Sequence, residues 1–108
     1  RCAVCSLPET DLLVASHIIP WSVDVSLRMN PKNGICMCVL HDKAFDKGLI
    51  SLSDNYVLKI STAIKKLHKE PSIQRGFLPY EGNRINFPDR FIPDKKYLEF
   101  HRNNIFTS

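Results

Sequence analysis

His17, Asn33, His41 and Asp42 are residue types that phosphodiester hydrolysis employs, and they fall in two short strings of this 108-residue chain, L-V-A-S-H-I-I-P-W at 13–21 and N-G-I-C-M-C-V-L-H-D-K-A-F-D-K-G at 33–48. Such hydrolysis needs an activated water, charge stabilisation on the phosphorus oxygens and a stabilised leaving alkoxide. Imidazole titrates near neutrality and suits the first task as a general base. A divalent cation supplies the other two, and carboxylate, imidazole and amide oxygen can all ligate one. A lone histidine among Val, Ala and Ile is also a common core residue, so His17 takes its meaning from the company of the other three.

The cysteines form a second constellation. Cys2-x-x-Cys5 together with Cys38-x-x-His41 makes a four-ligand set of the Cys₃His type, which in tetrahedral geometry selects zinc over magnesium. No secretory signal is visible, so metal binding or free thiols are expected rather than disulfides. Cys36 competes with Cys38, since the strand can point only one of them at the knuckle. The two constellations also compete for His41: if it serves zinc, the catalytic-metal role passes to Asp42. Four buried thiols acting as small hydrophobes are the plain alternative.

The elements that must position these residues can be read from periodicity. Residues 12–19 are apolar and rich in β-branched types, a buried strand ended by Pro20. Residues 20–33 hold two prolines and two asparagines and predict an ordered loop closing on the turn pair Asn33-Gly34. A second strand spans 34–38, and a helical pattern follows over 39–47, with Leu40, Ala44 and Phe45 near one stripe and Gly48 as its C-terminal stop. Runs 49–53 and 56–60 around Asp54-Asn55 predict a hairpin. A short helix is expected over 63–69 ended by Pro71, then a mostly extended stretch over 76–93 and a terminal helix over 94–104. The fold class predicted is α+β in a single domain. Trp21, Phe45, Leu49 and Ile50 are expected in the core, and His68 and His101 at the surface.

Charge is unevenly placed. Residues 1–54 carry five Lys/Arg against six Asp/Glu, and residues 55–108 carry ten against five, for an overall net charge of +4. A basic half beside a near-neutral half that holds the candidate site suits a polyanion such as DNA. Lys59, Lys65, Lys66, Lys69 and Arg75 are candidate phosphate contacts, or simply solubility charges. No apolar run approaches a membrane span, which predicts a cytoplasmic protein without membrane contact. The first residue is Arg1 rather than Met, so the expectation is a part of something longer.

The motif over residues 1–54 resembles the HNH nuclease family, whose fold is called ββα-metal, with the hairpin and flanking helices of 55–108 as an extension. The resemblance implies that His17 is the general base and that Asn33, the family's middle asparagine, holds the loop and orients that base. It places the helix metal ligand nine residues after Asn33, at Asp42, or at His41 by analogy with H-D-x-A-F-D relatives; Asp46, one turn on, reads as an exposed polar residue. Many family members carry Asp or His before the base, where this chain has Ser16, a poor ligand. Some zinc-bearing members flank the core with two knuckles, as here. The resemblance also implies a restriction-type endonuclease acting on double-stranded DNA with Mg²⁺ or Mn²⁺, a separate target-recognition domain elsewhere in the protein, and a homodimer where both strands are cut. A zinc-stapled, non-catalytic nucleic-acid-binding module is the reading from a different class, and an RNA nuclease a third.

Overall fold

Five residues of β1 (Leu13–His17) pair antiparallel with five of β2 (Gly34–Cys38) in the register Leu13↔Cys38, Ala15↔Cys36, His17↔Gly34. Side chains alternate across such a hairpin, and here the alternation separates buried Ser16, Ile35 and Met37 from exposed Ala15 and Cys36. His17, at the C-terminal end of β1, is half-buried. In this computed structural model, which describes residues 1–108, α1 (Val39–Asp46) starts directly where β2 ends and packs against both strands. Its buried face is His41, Ala44 and Phe45, while Leu40 is exposed. Ala44 and Phe45 are buried as the pattern predicts, but His41 replaces Leu40 on that face, because position 41 belongs to the cysteine cluster.

Helix α1 ends as the sequence indicates. Gly48 N–H donates to the Phe45 carbonyl at 3.1 Å and Leu49 N–H to the Ala44 carbonyl at 2.8 Å, with Gly48 at φ +73°. This is the Schellman arrangement, in which a left-handed residue closes the last turn. The position has a second constraint, since a Cβ there would overlap the carbonyl of Ile105 at the far end of the chain.

The second hairpin joins β3 (Ile50–Leu52) to β4 (Leu58–Ile60), with Ile50 opposite Ile60 and Leu52 opposite Leu58. All of β3 is buried. Beyond it, the predicted 63–69 helix is replaced by α2 (Thr62–Lys65), capped by the Ser61 hydroxyl, and α3 (Pro71–Gly76). Pro71 opens α3 instead of terminating its predecessor, since a proline at the first helical position loses no hydrogen bond. Residues 77–94 carry one short turn, Leu78–Tyr80, and a single bridge from Arg84 to Val57. Asp94 then caps α4 (Lys95–Asn104) through its carboxylate on Lys96 N–H.

His101 is a correction to the sequence expectation. It is 1% exposed, lies flat on the Phe45 ring at 3.7 Å, and uses both nitrogens, Nδ1 on the Ser51 hydroxyl at 2.7 Å and Nε2 on the Phe45 carbonyl at 2.8 Å. A carbonyl can only accept, so Nε2 carries the proton and Nδ1 accepts from the hydroxyl, which is the neutral imidazole. The histidine is the polar pin between α4, α1 and β3, a role that a surface-like helical pattern conceals. Trp21 is the converse case, expected in the core but 40% exposed.

Two outcomes follow from these contacts. Gly48→Ala should lower stability in urea unfolding by at least about 2 kcal/mol, from the left-handed backbone penalty plus the displaced Ile105 carbonyl; an unchanged midpoint would contradict this role. Burial lowers the His101 pKa from 6.5 to about 4, against opposing help from the Phe45 carbonyl and Asp46. The folded chain thus refuses a proton that the unfolded chain accepts below about pH 6.5. Stability should be complete above that pH and fall by roughly 2–3 kcal/mol as pH drops toward 4. His101→Gln should flatten that part of the profile, and an unaltered slope would assign it to other groups.

Candidate active site and metal cluster

Cys2, Cys5, Cys38 and His41 converge, with all four ligand atoms within 4.8 Å of one another. His41 Nδ1 lies 3.2 Å from Cys38 Sγ and 3.7 Å from Cys2 Sγ, and Cys5 Sγ lies 4.0 Å from Cys38 Sγ. A tetrahedral zinc with bonds near 2.3 Å to sulfur and 2.1 Å to nitrogen separates its ligands by about 3.6–3.8 Å. The set therefore fits a metal such as zinc in both donor chemistry and spacing. The knuckle carrying Cys2 and Cys5 closes through Ser6 N–H on the Cys2 carbonyl, with Ser6 at φ +65°, and docks on β2 through Ala3 N–H to the Cys36 carbonyl at 2.8 Å.

Burial drives the Cys2 thiol up, but bonds from His41 and from the backbone of Cys5, Cys38 and Val4 outweigh it, and the result is about 6. Cys5 is pushed up to about 12, chiefly by burial and then by the neighbouring sulfurs of Cys2 and Cys38. Three sulfurs crowded together cannot all carry charge unless a cation joins them. Residues two apart on a strand share a side, so strand alternation does not separate Cys36 from Cys38. What separates them is the helix start: Cys38 is the N-cap of α1 and turns inward with it, while Cys36 stays exposed.

Of the two roles open to His41, only one is geometrically available. Its Nδ1 faces the sulfurs, its Nε2 bonds the Gly76 carbonyl at 2.7 Å, and the rings of Phe77 and Tyr80 enclose it edge-on. At 2% exposure it has no nitrogen left for a catalytic cation. Asp42, in the first turn of the same helix, is half-buried, and Asp46 is exposed.

Asn33 is buried completely, and its amide clamps the backbone of Ile19 from both sides: Oδ1 accepts from Ile19 N–H at 2.8 Å and Nδ2 donates to the Ile19 carbonyl at 3.0 Å. Its own carbonyl takes Ile18 N–H at 2.9 Å. The side chain imitates a strand partner and carries the hairpin beyond His17, closing the intervening loop. With its amide buried and both polar atoms committed to Ile19, the Asn33 side chain does not open into the cleft. His17 next to this clamp packs edge-on against Trp21 at 4.7 Å and lines a cleft of about 1010 Å³ on the open face of the hairpin. The cleft is bounded on its other side by the stretch 86–93.

That stretch is tied at both ends. Asn86 bonds Ala3, Cys2 and Ser6 of the knuckle, and at the far end Asp94 N–H bonds the Lys32 carbonyl while Tyr97 Oη accepts from Asn30. The cations facing the cleft are Arg1, Arg28 and Arg90, against one carboxylate, Asp89. None of them was singled out in the sequence, where attention falls on the lysines of 59–69. Lys65 is instead paired with Glu81 at 2.9 Å, and Lys59 lies over Phe106. The signal that could have found the arginines is their interleaving with aromatics, Trp21 with Arg28, and Phe87 with Arg90 and Phe91.

Residues 2–53 match the HNH endonuclease family. Among solved structures, a modification-dependent TagI restriction endonuclease superposes with a TM-score of 0.68 at 20% identity, over 97% of this chain and 33% of that one. The chain thus spans a third of that protein, and the likeness establishes the shared α+β fold. No curated protein matches the chain in sequence.

Stripping metal with a strong chelator should lower the unfolding free energy measured in urea by several kcal/mol, since cluster binding is worth on the order of 10 kcal/mol toward folding. Zn²⁺ should restore it and Mg²⁺ should not, and Cys38→Ala should bind no zinc by elemental analysis. Equal stability with and without chelator would reduce the four residues to buried thiols and an imidazole.

Proposed function

With residues 2–53 belonging to the HNH endonuclease family, we propose that the chain is the metal-dependent cleavage domain of a restriction-type endonuclease acting on double-stranded DNA. The observation that carries this reading is the placement of His17. Its imidazole is half-exposed at the lip of an arginine-bearing cleft, at a strand end that Asn33 locks, in the strand against which α1, the helix carrying Asp42, packs. The Cys2, Cys5, Cys38 and His41 cluster is assigned to zinc with a structural role, which leaves Asp42 as the residue that would hold Mg²⁺ or Mn²⁺. One carboxylate with waters and substrate phosphate is an ordinary donor set for Mg²⁺. When bound, that cation supplies charge stabilisation on the phosphate and on the departing oxygen.

In the proposed reaction, Nε2 or Nδ1 of His17 accepts a proton from a water. The water oxygen forms a bond to phosphorus in line, and the bond from phosphorus to the 3′-oxygen breaks. The products are a 5′-phosphate and a 3′-hydroxyl that takes its proton from solvent. Asn33 keeps the strand end, and with it the imidazole, from swinging with the loop. The domain division of a core over 1–54 with an extension over 55–108, the cytoplasmic setting, a homodimer for double-strand cleavage and a recognition domain elsewhere belong to the same proposal. No helix is long and apolar enough to cross a membrane.

His17→Ala should lower plasmid cleavage by about 10²–10⁴-fold while leaving the fold and DNA binding intact. Asp42→Ala should abolish the response to added Mg²⁺ or Mn²⁺ without disturbing zinc content. Cleavage that survives in His17→Ala removes this residue from the mechanism. Purified zinc-loaded protein that binds DNA but cuts it with neither cation would point to the non-catalytic binding module instead.

A further inference from the structure

Position 16 lies immediately before the base, but the Ser16 side chain is turned into the core and is 1% exposed. It therefore offers nothing to an anion or a cation in the cleft, and the charge of a phosphodiester seated beside His17 has to be met by another group. Asp89 has the wrong sign. Among the three arginines of the cleft, one is mechanically joined to the base. The guanidinium of Arg28 lies 4.3 Å from the centre of the Trp21 ring, and that same ring meets the His17 imidazole at 4.7 Å and 74°. Imidazole, indole and guanidinium form one continuous chain of contacts, the imidazole edge-on to the indole and the guanidinium over its ring, and both ends of the chain face the cleft. Arg90 rests instead on Phe91 at 5.3 Å, with no connection to His17.

Local hydrogen bonds hold this stretch of the chain in place. Asp24 caps the short turn Val25–Leu27 through its carboxylate on Ser26 N–H, and Arg28 N–H closes that turn on the Val25 carbonyl at 3.1 Å. Asn30, two residues on, is tethered to Tyr97 of α4 at 3.0 Å. Arg28 nevertheless takes part in neither of the protein's two ion pairs. A ring face holds a guanidinium in position without neutralising it, so its charge and its fork of N–H donors are kept for an oxyanion.

We infer that Arg28 is the phosphate-binding residue of the cleft, seating the phosphodiester beside His17, and that Trp21 is the positioning residue that holds base and cation in register. This rests on the nuclease reading and adds to it a division of labour: the loop between β1 and β2, closed by Asn33, supplies positive charge beside a base whose preceding residue, Ser16, is a poor ligand for a cation.

The test measures kcat, KM and the salt dependence of DNA binding in the full chain loaded with zinc. Arg28→Ala should lower kcat by about 10²-fold, the usual cost of removing a donor aimed at developing charge. Arg28→Lys, which keeps the charge but loses the fork, should lose about tenfold. In the His17→Ala background, Arg28→Ala should reduce the slope of log affinity against log salt by about one. Trp21→Phe should stay near the parent, while Trp21→Ala should slow turnover, and the double change Trp21→Ala with Arg28→Ala should be no slower than Arg28→Ala alone. Both side chains are exposed, so folding of the variants is readily checked by circular dichroism. Metal-dependent cleavage with unaltered kcat and salt slope in Arg28→Ala overturns the assignment of Arg28 alone. Losses that simply multiply overturn the role of Trp21, and absence of cleavage in the parent overturns the nuclease reading and this inference together.

Discussion

His41 commits one ring nitrogen to the sulfurs of Cys38 and Cys2 and the other to the Gly76 carbonyl, and much of the molecule depends on that commitment. It ties the N-terminal knuckle, the start of α1 and the end of α3 at one point. Because the knuckle also docks on β2 and holds Asn86, the cluster fixes the first turn of α1 and one bank of the cleft together. A chain of this length buries only about 60–65% of its unfolded surface. A bound cation at such a junction can supply order that apolar burial alone does not.

The same junction divides the chemistry. Thiolates and imidazole form a soft, enclosed set on the inner side of the helix start, whereas one residue later Asp42 presents a hard oxygen ligand that is half-exposed. Adjacent helical positions point about 100° apart, so two neighbouring residues can serve two different cations without sharing either. On the proposed assignment, the soft and hard preferences of the two ligand sets would keep a zinc ion and a Mg²⁺ or Mn²⁺ ion apart.

The cleft is built by pairing rather than by packing. Asn33 replaces a missing strand partner for Ile19, and the contact chain from His17 through Trp21 to Arg28 then lies along the loop that this pairing closes. Polar groups buried in such a device are costly unless every one is satisfied. Here both atoms of the Asn33 amide have partners, and no buried side-chain nitrogen or oxygen in the protein lacks one. The site can therefore tolerate an exposed indole and an unpaired guanidinium at its edge, because its backbone is held from within.

Local patterns were enough to read the hairpin–helix core: β2 at 34–38, the helix start at 39 and the glycine stop at 48 all stand where periodicity and turn chemistry put them. The Cys₃His spacing was equally legible, since ligand sets are written in short intervals around tight turns. What the sequence by itself determined was thus everything that depends on neighbours a few residues apart. Tertiary structure alone decided that His41 faces the sulfurs, that Pro71 begins a helix, that His101 is buried and Trp21 exposed, and that Arg28 and Arg90 line the same cleft as His17. Each of these turns on contacts between segments tens of residues apart or on which side of a loop meets solvent. Neither is encoded in local periodicity, because burial is a property of the assembled surfaces and not of any one stretch of chain.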